Sequence, residues 1–254
     1  ELTSSRLLSF DIFGTLIDWE LGVFNAILTT PHFSSLSPSH PMREIKTLLP
    51  AYFTAESAIQ AANPSLLYSA VVAGSFSQLV RDYNLSVPGT PETEQEALLD
   101  STAKGVGESI GTWPAFPDTV AAMQALGKRY KLVALSNIDE ASVARTLEGP
   151  LAGMKFDAVY TAEKIGSYKP DPRNFEYLLE NVKRQFGVEK GEVLHVAQSI
   201  FHDHQTVGKM GLKNVWVDRK AVLGGTAASS PEVTWNWTVE SLGELAEMVE
   251  KEAA

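Results

Sequence analysis

The sequence predicts an α/β fold: a parallel β-sheet covered by helices on both faces, with a long helical segment inserted after the first strand. Three observations predict it. From residue 113 onward, short apolar runs of strand length alternate with amphipathic segments, and repeated strand–helix units of this kind close into a parallel sheet. Near the start, Leu7-Leu8-Ser9-Phe10 is another apolar run, suited to a strand buried on both faces, and it ends abruptly in Asp11 before a Gly14-Thr15 turn. Between these regions, residues 19–112 show helical spacing and no convincing strand.

Taken in order, the first strand is followed by a helix over residues 20–27 and a Ser/Pro-rich loop over 29–38. From Pro41 to Tyr83, Ile45, Leu48, Leu49, Tyr52 and Phe53, and then Leu67, Ala70 and Val71, recur at helical spacing, with Pro64 breaking the run. A loop over 86–91 precedes a helix over 92–110. This block is read as a helical cap, residues 19–112, carried by a core made of residues 1–18 and 113–254. In the core, helices are expected at 118–130, 141–147, 173–186 and 204–210, and strands at 131–136, 156–160, 193–197 and 214–217. A Gly/Ala/Ser loop over 224–230, a short apolar piece near Trp235 and a helix with Leu242, Leu245, Met248 and Val249 on one face complete the chain.

Composition narrows the function. The 254 residues give room for one large domain or for a core with an insertion. A net charge of −10 without a basic stripe opposes nucleic-acid binding, although a local cationic pocket still permits an anionic small substrate. Cysteine is absent, which excludes disulfides, thiolate nucleophiles and Cys-ligated zinc. The charge-free stretch from Pro64 to Val80 is broken by Ser and Gln and is short for a membrane span, so no membrane partner is expected. The first residues lack the pattern of a signal peptide, and a cytoplasmic location is expected.

A carboxylate at the exit of a buried strand is costly unless something stabilises it. Open parallel sheets also bind their ligands at the carboxyl ends of the strands. Asp11 is therefore the candidate reacting group, set against a plain turn-forming role. Other strand ends supply complementary residues: Ser136-Asn137, Gln198-Ser199 and then His202-Asp203-His204. Lys169 lies on the turn Gly166-Ser167-Tyr168-Lys169-Pro170-Asp171-Pro172. A parallel sheet brings these ends to one edge.

In this order, an Asp followed by Gly-Thr, a Ser-Asn, a Lys-Pro turn and a final acidic loop, the sequence resembles the haloacid dehalogenase superfamily of hydrolases. It is most similar to the type II 2-haloacid dehalogenase-like group. The resemblance implies a Rossmann-like core with a helical cap closing over the site. Phosphatases of the superfamily carry a second Asp two residues after the nucleophile, to protonate the leaving alcohol and later activate water. Phe13 stands there and does neither. Those phosphatases also hold magnesium on acidic groups of the last motif, where this chain has Ala197-Gln198 and then Asp203. A site without metal or other cofactor is expected; the alternative is magnesium held by Asp11 and Asp203 with waters.

The roles implied by the resemblance follow. Asp11 attacks an electrophilic carbon, displaces a group such as halide and forms an aspartyl ester that water then cleaves. Lys169 keeps Asp11 ionised. Ser136 and Asn137 donate to a substrate carboxylate, or cap the following helix. Thr15 orients Asp11 or stabilises its turn, and Phe13 and Gln198 face the substrate. Asp203, with Ser199, positions the water, or caps a helix. His202 and His204 depart from the family pattern and are candidate general bases; as a metal motif they are weak.

A small carboxylic acid is the expected substrate. The arginine with which such dehalogenases receive halide is missing from residues 52–63, and Arg43 and Arg81 are the only cap arginines. Phe13, Trp19, Tyr52, Phe53 and Phe175 are candidates for an apolar pocket, or for plain core packing. Cap aromatics fit either a homodimer surface or buried helix packing. Two other functions stay open: a magnesium-dependent phosphatase, and a non-catalytic relative that binds a ligand in the same cleft.

Overall fold

The computed structural model describes residues 1–63, 65–221, 223 and 232–254. Six parallel strands form one sheet: β1 (Leu7–Phe10), β2 (Lys131–Ser136), β3 (Ala158–Thr161), β4 (Val193–Ala197), β5 (Lys213–Val217) and β6 (Trp237–Val239), in the order β3-β2-β1-β4-β5-β6. Between β1 and β2 lie α1 (Trp19–Leu28), α2 (Pro31–Ser34), α3 (Ile45–Ala62), α4 (Tyr68–Asp82) and α5 (Glu92–Glu108). The remaining helices are α6 (Thr119–Leu126), α7 (Glu140–Glu148), α8 (Ala162–Ile165), α9 (Arg173–Phe186), α10 (Gln205–Lys209) and α11 (Leu242–Ala253).

β1 is apolar because both of its faces are covered. Leu8 and Phe10 join Leu132, Ala134, Leu194, Val196, Val215 and Val217 in one buried cluster, to which α11 adds Leu242 and Leu245. On the other face, Leu7, Val133, Leu135 and Val193 pack on Phe175, Leu178 and Val182 of α9. Those three recur at i, i+3 and i+7, and Gly187 ends the helix at a φ of 62° that favours glycine. Burying each such side chain stabilises by about 1.5–3 kcal/mol. In the insertion, α4 packs between α3 and α5 through Val71, Val72, Phe76 and Leu79 against Leu48, Leu49, Leu99 and Val106.

Strand order reverses at β1, with β2 and β3 on one side and β4 to β6 on the other. Such a switch opens a crevice at the carboxyl ends of the strands. Asp11, Ser136, Gln198 and, through its turn, Lys169 all lie at that edge.

Several expectations are corrected. The Ser/Pro-rich segment contains α2, which starts on Pro31 and buries His32 and Phe33; proline's fixed φ suits the first helical position. The apolar piece near Trp235 leads into β6, which pairs with β5 through Val215–Trp237 and Val217–Val239. The helix expected over 118–130 stops at Leu126, before Gly127. The helix expected from His204 begins as a π-helical turn, Ile200–His204, that runs into α10. Pro64 and the loop 224–230 lie outside the described residues.

Candidate active site

Asp11 leaves β1 with its backbone N–H donating to Val196 O, and a tight turn follows in which Gly14 takes a φ of 82°. That left-handed conformation disfavours any side chain. A Cβ at residue 14 would also stand 3.0 Å from Gln198 Oε1. The turn places Thr15 under the carboxylate: Gln198 N–H donates to Thr15 Oγ1 at 2.9 Å, and Thr15 Oγ1 donates to Asp11 Oδ2 at 3.5 Å. Ser136 Oγ, at the end of β2, donates to Asp11 Oδ1 at 3.4 Å.

Lys169 organises the edge. Its Nζ donates to Asp11 Oδ1 at 2.8 Å, to Asp203 Oδ1 at 2.7 Å and to Leu135 O at 3.1 Å. Asp11 and Lys169 are only 5% and 3% exposed, and Asp203 is fully buried. Burial pushes Asp11 up from the usual carboxylate range while Lys169 opposes the shift. Burial also works against the charges of Asp203 and Lys169. The ammonium together with His195 more than offsets it for Asp203, holding that carboxyl well below its ordinary value, and the two carboxylates raise Lys169.

Asn137 does not face a substrate with a free amide. Its Nδ2 donates to Lys169 O at 3.0 Å and its Oδ1 accepts Lys169 N–H at 2.7 Å, so it clamps the backbone that carries the lysine. Ser199 caps the π-helical turn, its Oγ accepting His202 N–H at 3.1 Å and meeting the His202 ring at Nδ1. The cap at this turn is thus Ser199, and Asp203 points inward.

The two candidate bases fare differently from the expectation. His204 is buried, bonded at Nε2 to Ala197 O and at Nδ1 to Asn214 Nδ2, and burial lowers it to about 4. A ring enclosed in this way cannot take a proton from a water in the cleft. His202 is also lowered to about 4 by burial, which leaves it a weak base at neutral pH.

Phe13 packs against Tyr68 of α4 and Trp113, with ring centroids 5.6 and 5.4 Å apart. Phe175 instead lies on the far face of the sheet, edge-on to His195, and Phe53 is exposed, so neither lines a pocket with Phe13. Arg43 donates to Phe33 O at 2.6 Å and Arg81 pairs with Glu96 at the surface, so neither cap arginine meets Asp11.

Three functional groups escaped the sequence reading. His195 on β4 bonds Asp203 Oδ1 through Nε2 and Ser9 Oγ through Nδ1, both at 2.8 Å. The available signal was a pair of polar residues inside two apolar strands, in register across the sheet. Arg219, just past β5, donates through Nε and Nη2 to Thr15 O at 3.2 and 2.8 Å and pairs with Asp118 at 2.7 Å. In the insertion, buried Glu56 accepts the hydroxyl of Tyr68 at 2.8 Å and that of Tyr52 at 3.5 Å, and burial raises its carboxyl to about 7. A separate groove of about 840 Å³ at the amino ends of the strands, lined by Arg6, Lys128 and Lys131 among others, holds none of these groups.

With this geometry in view, a family model described as haloacid dehalogenase-like hydrolase matches residues 6–200, more than half of the chain. The chain belongs to the haloacid dehalogenase-like hydrolase family. Haloacid dehalogenase-like hydrolase domain-containing protein 3 of Danio rerio is 31% identical over 134 residues, which is 49% of this chain and 51% of that protein. The chain thus spans about half the length of this curated relative. Among solved structures, the L-2-haloacid dehalogenase PA0810 is similar over 97% of this chain and 99% of its own, at 24% identity and a TM-score of 0.71. The putative HAD-hydrolase YfnB from Bacillus subtilis, solved bound to magnesium, is similar over 97% and 99%, at 18% identity and a TM-score of 0.69. At these identities the likeness is one of fold.

Magnesium held by Asp11 and Asp203 with waters would have to share both carboxylates with Lys169. Lys169 Nζ is bonded to an oxygen of each of the two carboxylates at the edge. Among the described residues, no group of three or more His, Cys, Asp or Glu side chains is arranged to hold a metal. Magnesium is commonly held by one or two carboxylates with waters, and at the position of the acidic motif Gln198 offers a neutral amide, a weaker ligand than a carboxylate.

Proposed function

We propose that this hydrolase acts without metal on a small molecule with an electrophilic carbon, a 2-haloacid being the best candidate. Asp11 attacks the carbon, halide departs, and water cleaves the resulting aspartyl ester. The observation that supports this most is the Lys169 ammonium, bonded to Asp11 Oδ1 and Asp203 Oδ1 together, while Phe13 stands where a phosphatase needs its acid. Lysine supplies the positive charge that keeps a buried carboxylate ionised and nucleophilic. Halide leaves as an anion and needs no proton, so the absence of an acid at residue 13 costs nothing in the first step.

Asp11 Oδ2 is the better attacking atom, because Oδ1 accepts from the Lys169 and Ser136 side chains whereas the one side chain bonded to Oδ2 is Thr15, at 3.5 Å. Thr15 and Ser136 hold the carboxylate plane, and Asn137 holds the lysine. Residues 19–112 act as the cap, on the core of residues 1–18 and 113–254, and bring Tyr68 over Phe13 as an apolar wall.

The test is halide release from a panel of 2-halocarboxylic acids in EDTA, run beside phosphate release from a generic phosphomonoester with magnesium. Metal-independent halide release is expected. Phosphate release that EDTA abolishes would establish the phosphatase instead. Inactivity on both panels, with tight ligand binding indifferent to Asp11→Asn, would establish a binding protein.

A further inference from the structure

We infer that His195 is a positioning residue for Asp203: by occupying Oδ1 it leaves Oδ2 as the acceptor that orients the water cleaving the Asp11 ester. This rests on the covalent reading proposed above and extends it to the second half-reaction. Asp203 Oδ1 accepts from Lys169 Nζ at 2.7 Å and from His195 Nε2 at 2.8 Å. Asp203 Oδ2 is buried and has no hydrogen-bond partner among the described residues. A buried acceptor left in that condition costs about 1–3 kcal/mol, and a bound water is the usual remedy in a polar site.

The histidine is held in one orientation and one tautomer. A carboxylate with Lys169 already on it only accepts, so Nε2 carries the hydrogen, and Nδ1 then accepts from Ser9 Oγ at 2.8 Å. Phe175 fixes the ring plane from the side, edge to face at 5.1 Å. Ser9 and His195 are register partners in neighbouring strands, both fully buried. Two polar side chains inside apolar strands are costly unless they satisfy each other and a third group. The third group here is Asp203.

In the step this serves, the water oxygen bonds to the carbonyl carbon of the Asp11 ester. Asp203 Oδ2 accepts a hydrogen bond from that water and holds it in line, and one water proton moves to the departing ester oxygen. The acyl carbon–oxygen bond then breaks, and the alkoxide leaves as the alcohol with that proton. Asp11 regains its carboxylate by releasing the remaining proton. His195 exchanges no proton; it prevents Asp203 from rotating Oδ2 out of line, and a misplacement of about 1 Å costs on the order of a hundredfold in rate.

The experiment follows the first turnover of 2-chloropropionate on the wild type, His195→Phe, His195→Gln and Ser9→Ala, with rapid quenching, halide release and intact-protein mass. Phenylalanine keeps a ring beside Phe175 and loses the donor, whereas glutamine restores an N–H near Nε2. Expected are similar halide bursts in all four, and an ester that lives about ten- to a hundredfold longer in His195→Phe, a few-fold longer in Ser9→Ala and close to normally in His195→Gln. Equal ester lifetimes in wild type and His195→Phe overturn the inference, as does a glutamine variant as slow as phenylalanine. If His195→Phe does not fold, Ser9→Ala decides, and an unchanged lifetime there also overturns it. No ester on the wild type or on any of the three variants is a different result: the covalent reading itself then fails, and the inference with it.

Discussion

The Lys169 ammonium lies 2.8 Å from Asp11 Oδ1, with both side chains removed from solvent. The same nitrogen holds Asp203 Oδ1, so one cation serves two buried carboxylates. Removing it leaves them uncompensated in a low-dielectric site, and breaking a buried pair in this way costs about 3–5 kcal/mol. Lys169→Met is therefore expected to lower the melting temperature and to abolish turnover. Calorimetry and a halide assay read the two effects, and a variant as stable and as active as wild type would contradict the pairing.

Arg219 braces the turn after Asp11. Its two bonds to Thr15 O and its pair with Asp118 fix the turn that carries Thr15, and its guanidinium lies 4.1 Å over the Phe116 ring. Arg219→Met keeps the stem and deletes the donors. Each lost bond to a charged donor is worth about 1.5–3 kcal/mol. The expected outcome is a destabilised protein whose kcat falls more than its KM rises, read by chemical denaturation and steady-state kinetics; an unchanged kcat would show that the brace does not reach Asp11.

Much of this was legible in the sequence, for a definite reason. Asp11, Ser136, Gln198 and Lys169 sit at strand ends or on a proline-marked turn, and a parallel sheet brings such ends together whatever its side-chain details. The helical period of α9 and the short run of β4 marked their boundaries, α9 burying one face and β4 all five of its residues. The occupants of hydrogen bonds were less legible. Asn137, Ser199 and His204 have residue types suited to chemistry, but three-dimensional neighbours claim them: the Lys169 backbone, the His202 N–H, and Ala197 with Asn214. His195 was missed because a histidine within an apolar strand carries no local motif, and its meaning comes from register with Ser9. β6 was missed because three residues are too few for periodicity to declare a strand.

Glu56 gives the protein a pH dependence of its own. Its carboxyl, faced by Tyr52 and Tyr68, is raised by burial from 4.5 to about 7. A group raised in the folded state contributes stability that is fully present below its unfolded value and is lost as pH rises through the folded one. The contribution is therefore complete below pH 4.5 and lost by about pH 8, amounting to about 3 kcal/mol. Glu56→Gln removes the ionisation and is expected to flatten the stability curve over that range, with the variant the more stable of the two at pH 8. Denaturation midpoints from pH 5 to pH 8 check it, and parallel curves for wild type and variant would contradict it.

A covalent bond to Asp11 leaves its trace in a single turnover in ¹⁸O-labelled water with enzyme in excess over 2-chloropropionate. The product hydroxyl is expected to carry unlabelled oxygen drawn from Asp11, and the label to appear in the peptide containing Asp11. Label in the product and none in that peptide would contradict it, because water would then have attacked the substrate carbon itself.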